Sequence, residues 1–162
     1  MEKLAELYKR WKGTAPAMMA QLPEAGSNRK YYRLTGEDGE SVIGVVGNSR
    51  DENHTFIYLT HHFTERRLPV PHILAVDDDE LRYLQTDLGS TSLFDVLRGG
   101  RESGGRYNMH EKQLLTAVIR ELPNIQIRGA RGLDWQVCYP QPEFDVDSVL
   151  FDLNYFKYCF LK

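Results

Sequence analysis

The sequence has little of what would mark a secreted, membrane-bound or nucleic-acid-binding protein. Its two cysteines, Cys138 and Cys159, are too few and too isolated for a disulfide framework or a zinc site, so they read as reduced thiols of a cytoplasmic protein. Long apolar runs are missing, and the stretch Val42 to Val46 falls far short of the ~20 residues that a spanning helix needs. Met1-Glu2-Lys3-Leu4 has neither the basic start nor the apolar core of a signal peptide. An excess of one charge is also lacking: 20 Lys and Arg stand against 23 Asp and Glu, for a net charge of −3. That balance leaves no electrostatic footprint for nucleic acid or an anionic membrane surface. No G-x-S-x-G, P-loop or Cys/His nucleophile arrangement occurs either.

What remains is an ordinary globular composition over 162 residues, enough for one domain or for a small lobe with part of a second. Leu4, Leu7, Tyr8 and Trp11 recur at helical spacing and predict a short amphipathic helix over residues 2–12. Met18 to Pro23, Lys30 to Leu34 and Ser41 to Val46 read as three strands, the last two joined by the turn Glu37-Asp38-Gly39-Glu40. Asp51 to Arg67 repeats Phe56, Leu59 and Phe63 on a helix face, with Ser49 or Asp51 as N-cap, and ends at Leu68-Pro69-Val70-Pro71. His72 to Val76 and Leu81 to Gln85 read as two more strands around the acidic run Asp77 to Glu80, taken as a solvated turn. The expected fold class is α+β: a five-stranded antiparallel sheet with one crossing helix over residues 1–87, then helices over 88–162.

In the second part, Ser92 to Leu97 predicts a short helix and Gly99 to Gly105 a flexible connector. Leu114, Leu115, Val118, Ile119 and Leu122 stripe a longer helix that Pro123 kinks or ends. Residues 128–147 have no period and read as extended loop. Val149, Leu153, Phe156 and Phe160 then stripe a last helix, an apolar face still in progress at Lys162, from which a continuing natural chain is expected.

Three features bear on chemistry. The turn Gly26-Ser27-Asn28-Arg29-Lys30 offers backbone N–H groups, small polar side chains and adjacent cations, which suits a phosphate as well as a plain polar hairpin. The segment Gln85-Thr86-Asp87-Leu88, ending at Gly89, joins the sheet to the helices, where exposed backbone can pair with an adenine edge or simply make a strand-to-helix turn. Glu52 starts the crossing helix, where a kinase-like fold places an acid that pairs with a strand lysine; Val42-Ile43-Gly44-Val45-Val46-Gly47 has no lysine, so Glu52 reads more simply as an exposed first-turn carboxylate. His61 and His62 are adjacent on a helix and point different ways, unlike a metal-ligand pair.

In their order these pieces resemble the aminoglycoside phosphotransferase and choline-kinase-like superfamily, nearest to bacterial anomeric sugar kinases of the N-acetylmuramate/N-acetylglucosamine type. Ala25-Gly26-Ser27-Asn28-Arg29-Lys30-Tyr31-Tyr32-Arg33-Leu34 is similar to that family's phosphate-loop region. Phe63 to Pro71 with Ile73-Leu74-Ala75-Val76-Asp77, and Tyr83-Leu84-Gln85-Thr86-Asp87-Leu88-Gly89, are similar to its following strand and hinge. Asp152 to Tyr158 resembles the region preceding the catalytic loop in a subgroup of these proteins.

The resemblance implies a protein-kinase-like N-lobe, use of ATP and Mg²⁺, and transfer of the γ-phosphate to a hydroxyl of a small, sugar-like acceptor. It implies phosphate-binding roles for Gly26, Ser27, Asn28, Arg29 and Arg33, with Lys30 a further candidate cation, and an adenine hinge at Gln85, Thr86, Asp87 and Leu88. No His-x-Asp-x-x-x-x-Asn segment supplies a catalytic base and a metal-binding Asn, so no catalytic residue and no metal ligand is assigned and the 162-residue chain is expected to be inactive. Its expected partners are the acceptor, the remainder of a helical C-lobe and, through exposed apolar surface, a second copy. A non-catalytic, pseudokinase-like binding module is the alternative.

Overall fold

The computed structural model describes residues 1–23, 26 and 28–161. Its elements are α1 (Glu2–Lys12), β1 (Met18–Gln21), β2 (Lys30–Thr35), β3 (Ser41–Val46), α2 (Arg50–Glu65), β4 (Ile73–Val76), β5 (Arg82–Thr86), α3 (Leu93–Val96), α4 (Arg98–Glu102), α5 (Met109–Pro123) and α6 (Val146–Tyr155). The strands form one open antiparallel sheet in the order β1-β2-β3-β5-β4. The protein is α+β, as the sequence pattern predicts. No helix among the described residues is long and apolar enough to cross a membrane.

Side chains alternate across a strand, so the sheet has two faces with different company. Tyr32, Leu34, Val42 and Leu84 point to one face and meet Leu4, Leu7 and Tyr8 of α1, all three essentially inaccessible. Each such side chain contributes roughly 1.5–3 kcal/mol of gross burial energy, which is what holds an 11-residue helix that would be marginal alone. Gly44 permits the approach, since a Cβ there would lie 2.6 Å from Leu34 and 2.8 Å from Leu4. Gly13, at φ 90°, ends α1 in the left-handed conformation. Lys12 then ties that end to Asp38 and Glu40 of the β2–β3 hairpin.

The opposite face carries Tyr31 and Arg33 of β2, Ile43 and Val45 of β3, and Tyr83 and Gln85 of β5, packed in part against Phe56 and Ile57 of α2. Helix α2 is capped by Ser49, whose Oγ accepts from the Glu52 N–H at 3.3 Å. Its sheet-facing stripe is Asn53, Phe56, Ile57 and Thr60. A second stripe, Thr55, Tyr58, His62 and Arg66, is also engaged, by the segment that follows α5. Thr55 Oγ1 donates to the Val137 carbonyl at 2.6 Å and accepts from the Tyr139 N–H at 3.0 Å. Tyr58 Oη accepts from the Asp134 N–H at 2.7 Å, and His62 Nε2 donates to the Gly129 carbonyl at 2.7 Å. Arg66 Nε donates to the Arg131 carbonyl at 2.9 Å. The stretch read as featureless loop is therefore a strap laid along α2, held mainly by backbone groups that leave no periodic signature.

Two further expectations need correction, and that for Pro123 is met. The glycine-rich connector is helical at Arg98–Glu102: the Gly100 N–H donates to Glu111 Oε1 at 2.9 Å, and the Tyr107 ring lies where a Cβ on Gly100 would have to be. Pro123 ends the α-helix, as the sequence predicts. Lacking an N–H it loosens the ladder, and the chain continues as a wider π-helical turn, Asn124–Arg128. The acidic turn is not simply solvated: Asp77 is largely buried between Arg10 and Arg82, while Glu80 bonds Arg50 and His54 at 3.1 Å each. Helix α6 and the π-helical turn Phe156–Phe160 leave Phe151, Tyr155, Tyr158 and Phe160 exposed.

Candidate functional site

The sheet face shared with α2 has two built ends. At one end β2 begins beside the start of α2. Arg29 immediately precedes β2, and its guanidinium is fixed from several sides. Nε donates to Asn53 Oδ1 at 3.1 Å, and Nη2 donates to the Glu52 carbonyl at 3.2 Å and pairs with Glu52 Oε1 at 2.9 Å. The plane lies 5.2 Å from the centre of the Phe56 ring, which in turn stacks on Tyr83 at 5.4 Å. Glu52 is thus a first-turn carboxylate with a buried-side partner, and that partner is an arginine from the loop rather than a lysine from β3. Val45 occupies β3 opposite Tyr83 and is fully buried.

Asn53, 1% exposed, is the piece that sequence reasoning missed. Its Nδ2 donates to the Glu80 carbonyl at 2.8 Å, so one carboxamide links Arg29, α2 and the β4–β5 turn. Gly47 makes room for it, since a Cβ there would sit 2.5 Å from the amide. The one available signal is an asparagine, a poor interior helix former, set at i−3 and i−4 from the inward Phe56 and Ile57. Tyr83 Oη is buried without a hydrogen-bond partner among the described residues, and burial pushes the phenol well above its ordinary pKa.

At the other end β5 runs out into Asp87. Arg33 grips this carboxylate with both arms, Nε to Oδ2 at 2.5 Å and Nη2 to Oδ1 at 3.0 Å. Ser41 Oγ donates at 2.7 Å and the Gly89 N–H at 2.9 Å. Four donors hold the charged form, and the Arg33 pairing above all lowers the Asp87 carboxyl to a pKa of about 2. Thr86 is committed to the sheet edge: its N–H donates to the His72 carbonyl, and its Oγ1 accepts from the His72 N–H, each at 3.0 Å. Leu88 is 74% exposed, and its N–H makes no hydrogen bond among the described residues. Gln85 points onto the same face as Arg33, with Oε1 buried and unpartnered among those residues.

The two ends belong to one surface. Register pairs Lys30 with Val46 and Val46 with Arg82, then Val42 with Thr86. Arg29 and Asp87 therefore sit at opposite ends of the same sheet face, six residue steps or about 20 Å apart along the strands at the usual rise per residue. Of the residues singled out in the sequence, Arg29 and Glu52 meet at one end; Arg33, Gln85, Thr86, Asp87 and Leu88 gather at the other. Gly26 and Asn28 are exposed near the first end, and Ser27 lies outside the described residues. Arg33, grouped with the phosphate loop on sequence grounds, is held by Asp87 at the second end of the face.

No group of His, Cys, Asp and Glu among the described residues could hold a metal ion. Cys138 and Cys159 are free thiols. Compared with known proteins, the chain matches no protein-family model and no curated sequence.

Proposed function

We propose that this chain is the nucleotide-binding portion of an ATP-dependent small-molecule phosphotransferase with a kinase-like N-lobe. The observation that carries the reading is the single sheet face with the Arg29–Glu52 pair at one end and the Gln85–Leu88 crossover at the other. A strand order of 1-2-3-5-4 with one helix between the third and fourth strands supports it. A nucleoside triphosphate lying along the strands would have its base at the Leu88 N–H and its phosphates toward the turn that contains Gly26, Asn28 and Arg29. Arg29 takes the electrostatic part of the lysine that β3 lacks, with Glu52 and Asn53 fixing its plane.

When bound with ATP, Mg²⁺ would neutralise charge on the β- and γ-phosphates. The described residues offer it no carboxylate cluster, so no transfer step is assigned to this chain. Phosphoryl transfer rests on metal-held charge and a positioned acceptor. Without a His-x-Asp-x-x-x-x-Asn segment the chain should bind nucleotide and not turn it over. The acceptor, a hydroxyl on a sugar-like molecule, would be chosen by further helices beyond this sheet. A binding module that has dispensed with chemistry is the second reading, favoured by the lack of a lysine in β3.

Calorimetric titration of the 162-residue chain with ATP and with adenosine tests the reading. Saturable ATP binding is expected, weakened roughly tenfold by Arg29→Lys while adenosine is unaffected, because lysine cannot reproduce the fixed fork. Absence of saturable ATP binding at millimolar concentration would refute it. Release of labelled γ-phosphate by the chain would contradict the expected inactivity.

A further inference from the structure

Resting on that nucleotide reading, we propose that Arg33 and Gln85 form a base seat: the guanidinium plane of Arg33 stacks on the purine and the Gln85 Oε1 accepts from its 6-amino group.

Arg33 has spent Nε and Nη2 on Asp87, in a near-ideal bidentate pair that also cancels its charge. What it still presents is a flat face and the N–H groups of Nη1. Its side chain is 26% exposed, whereas that of Asp87 is 6% exposed, so the carboxylate is covered and the guanidinium is the accessible member. Being clamped at two points, the plane is pre-organised, and a ligand need not immobilise a long flexible side chain to use it. Ser41 and Gly89 complete the carboxylate's shell, so Asp87 has no need of the ligand as a donor.

Gln85 supplies the second observation. Arg33 is paired with Ile43 and Ile43 with Gln85, which puts the carboxamide two strands across from the guanidinium on the same face. A buried carbonyl oxygen with no donor is costly. Gln85 Oε1 is such an atom among the described residues, and it lies two positions before Asp87 and three before the unbonded Leu88 N–H. A purine whose edge meets Leu88 and whose ring lies against Arg33 turns its 6-substituent toward Gln85. An amino group there satisfies the oxygen, and a hydrogen or a carbonyl there does not.

Two variants test this with adenosine, ATP and purine riboside (adenosine without its 6-amino group) as probes, each titrated into the 162-residue chain. Arg33→Lys keeps the charge and removes the plane, and is expected to weaken adenosine and ATP by the same factor, roughly fivefold. Wild type is expected to favour adenosine over purine riboside by roughly 3- to 10-fold, the worth of one hydrogen bond, and Gln85→Leu to erase that preference. A loss confined to ATP would return Arg33 to the phosphates and overturn the seat, as would an unchanged affinity for both ligands. A preference that persists in Gln85→Leu overturns the Gln85 assignment. Wild type that binds none of the three probes refutes the nucleotide reading itself. Wild type that binds, with both variants indifferent, refutes only the seat.

Discussion

Asn53 Oδ1 accepts a hydrogen bond from Arg29 Nε at 3.1 Å while the same carboxamide donates to the Glu80 carbonyl at 2.8 Å. A side chain 1% exposed thus satisfies two groups that would otherwise be stranded near the interior. Asn53→Leu keeps the volume and removes both bonds. A loss of about 2–3 kcal/mol is expected, read as a lower urea midpoint with unchanged slope. ATP affinity should fall in the same variant, since Arg29 loses one of its fasteners. Wild-type stability in Asn53→Leu would show that the carboxamide is not a structural hub.

Gly47 should be intolerant for the same reason. Alanine there puts a methyl 2.5 Å from the Asn53 amide, which its bonds to Arg29 and Glu80 hold in place. Gly47→Ala is expected to cost about 1–3 kcal/mol, as overpacking does. Combining it with Asn53→Ser, which shortens the obstructing side chain, should cost less than the sum of the two single changes. Strict additivity in that double-mutant cycle would contradict the contact.

Acid should release the Arg33–Asp87 clasp. The folded chain holds Asp87 at a pKa of about 2, below its unfolded value of about 4. A depressed carboxylate stabilises fully above the unfolded pKa, and that stabilisation is lost as pH falls from about 4 through about 2. Screened by solvent at the partly exposed Arg33 side, the linked contribution is about 1 kcal/mol at neutral pH. Stability measured between pH 5 and pH 2 should fall less steeply in Asp87→Asn than in wild type. Parallel curves would mean that the clasp is not formed in solution.

The legibility of this protein divides along physical lines. All five strands and helices α1 and α2 follow from local periodicity, and their bounds fall within a few residues of those observed. Ser49 as N-cap and Gly39 in the β2–β3 turn, at φ 79°, are likewise local and readable. The Arg33–Asp87 pair is not, because its members are 54 positions apart and meet only once β2, β3 and β5 are in register. Asn53 looked like one more polar residue in a helix, and only the turn arriving from Glu80 gives it an interior role. The strap over 129–139 was illegible because backbone carbonyls and N–H groups make most of its contacts, and these carry no residue code. Arg29 and Glu52 were each singled out, yet their pairing depends on where the loop delivers the arginine.

Tyr83 gives a prediction of opposite sign. Its hydroxyl is fully buried and unpartnered among the described residues, so removing it should relieve a cost. Tyr83→Phe keeps the ring stacked on Phe56 and is expected to raise stability by about 1 kcal/mol, with a higher thermal midpoint. A destabilised Tyr83→Phe would reveal a partner for the hydroxyl, such as an ordered water beside Arg29.

The strap can be tested at Thr55, which both donates to Val137 and accepts from Tyr139. Thr55→Val preserves shape and removes both bonds. Faster hydrogen exchange at the Tyr139 amide and earlier proteolytic cleavage within residues 129–139 are expected, at a cost of about 1–2 kcal/mol. Unchanged exchange at Tyr139 would mean that the strap is held elsewhere.

Helix α2 is gripped along two stripes at once, by the sheet through Asn53, Phe56 and Ile57 and by the strap through Thr55, Tyr58, His62 and Arg66. Only a stripe through His54, His61 and Glu65 is left exposed. Moving Glu52 away from Arg29 by a shift of the whole helix would mean shearing both layers together, so the ion pair inherits its geometry from two packed surfaces rather than from its own loop.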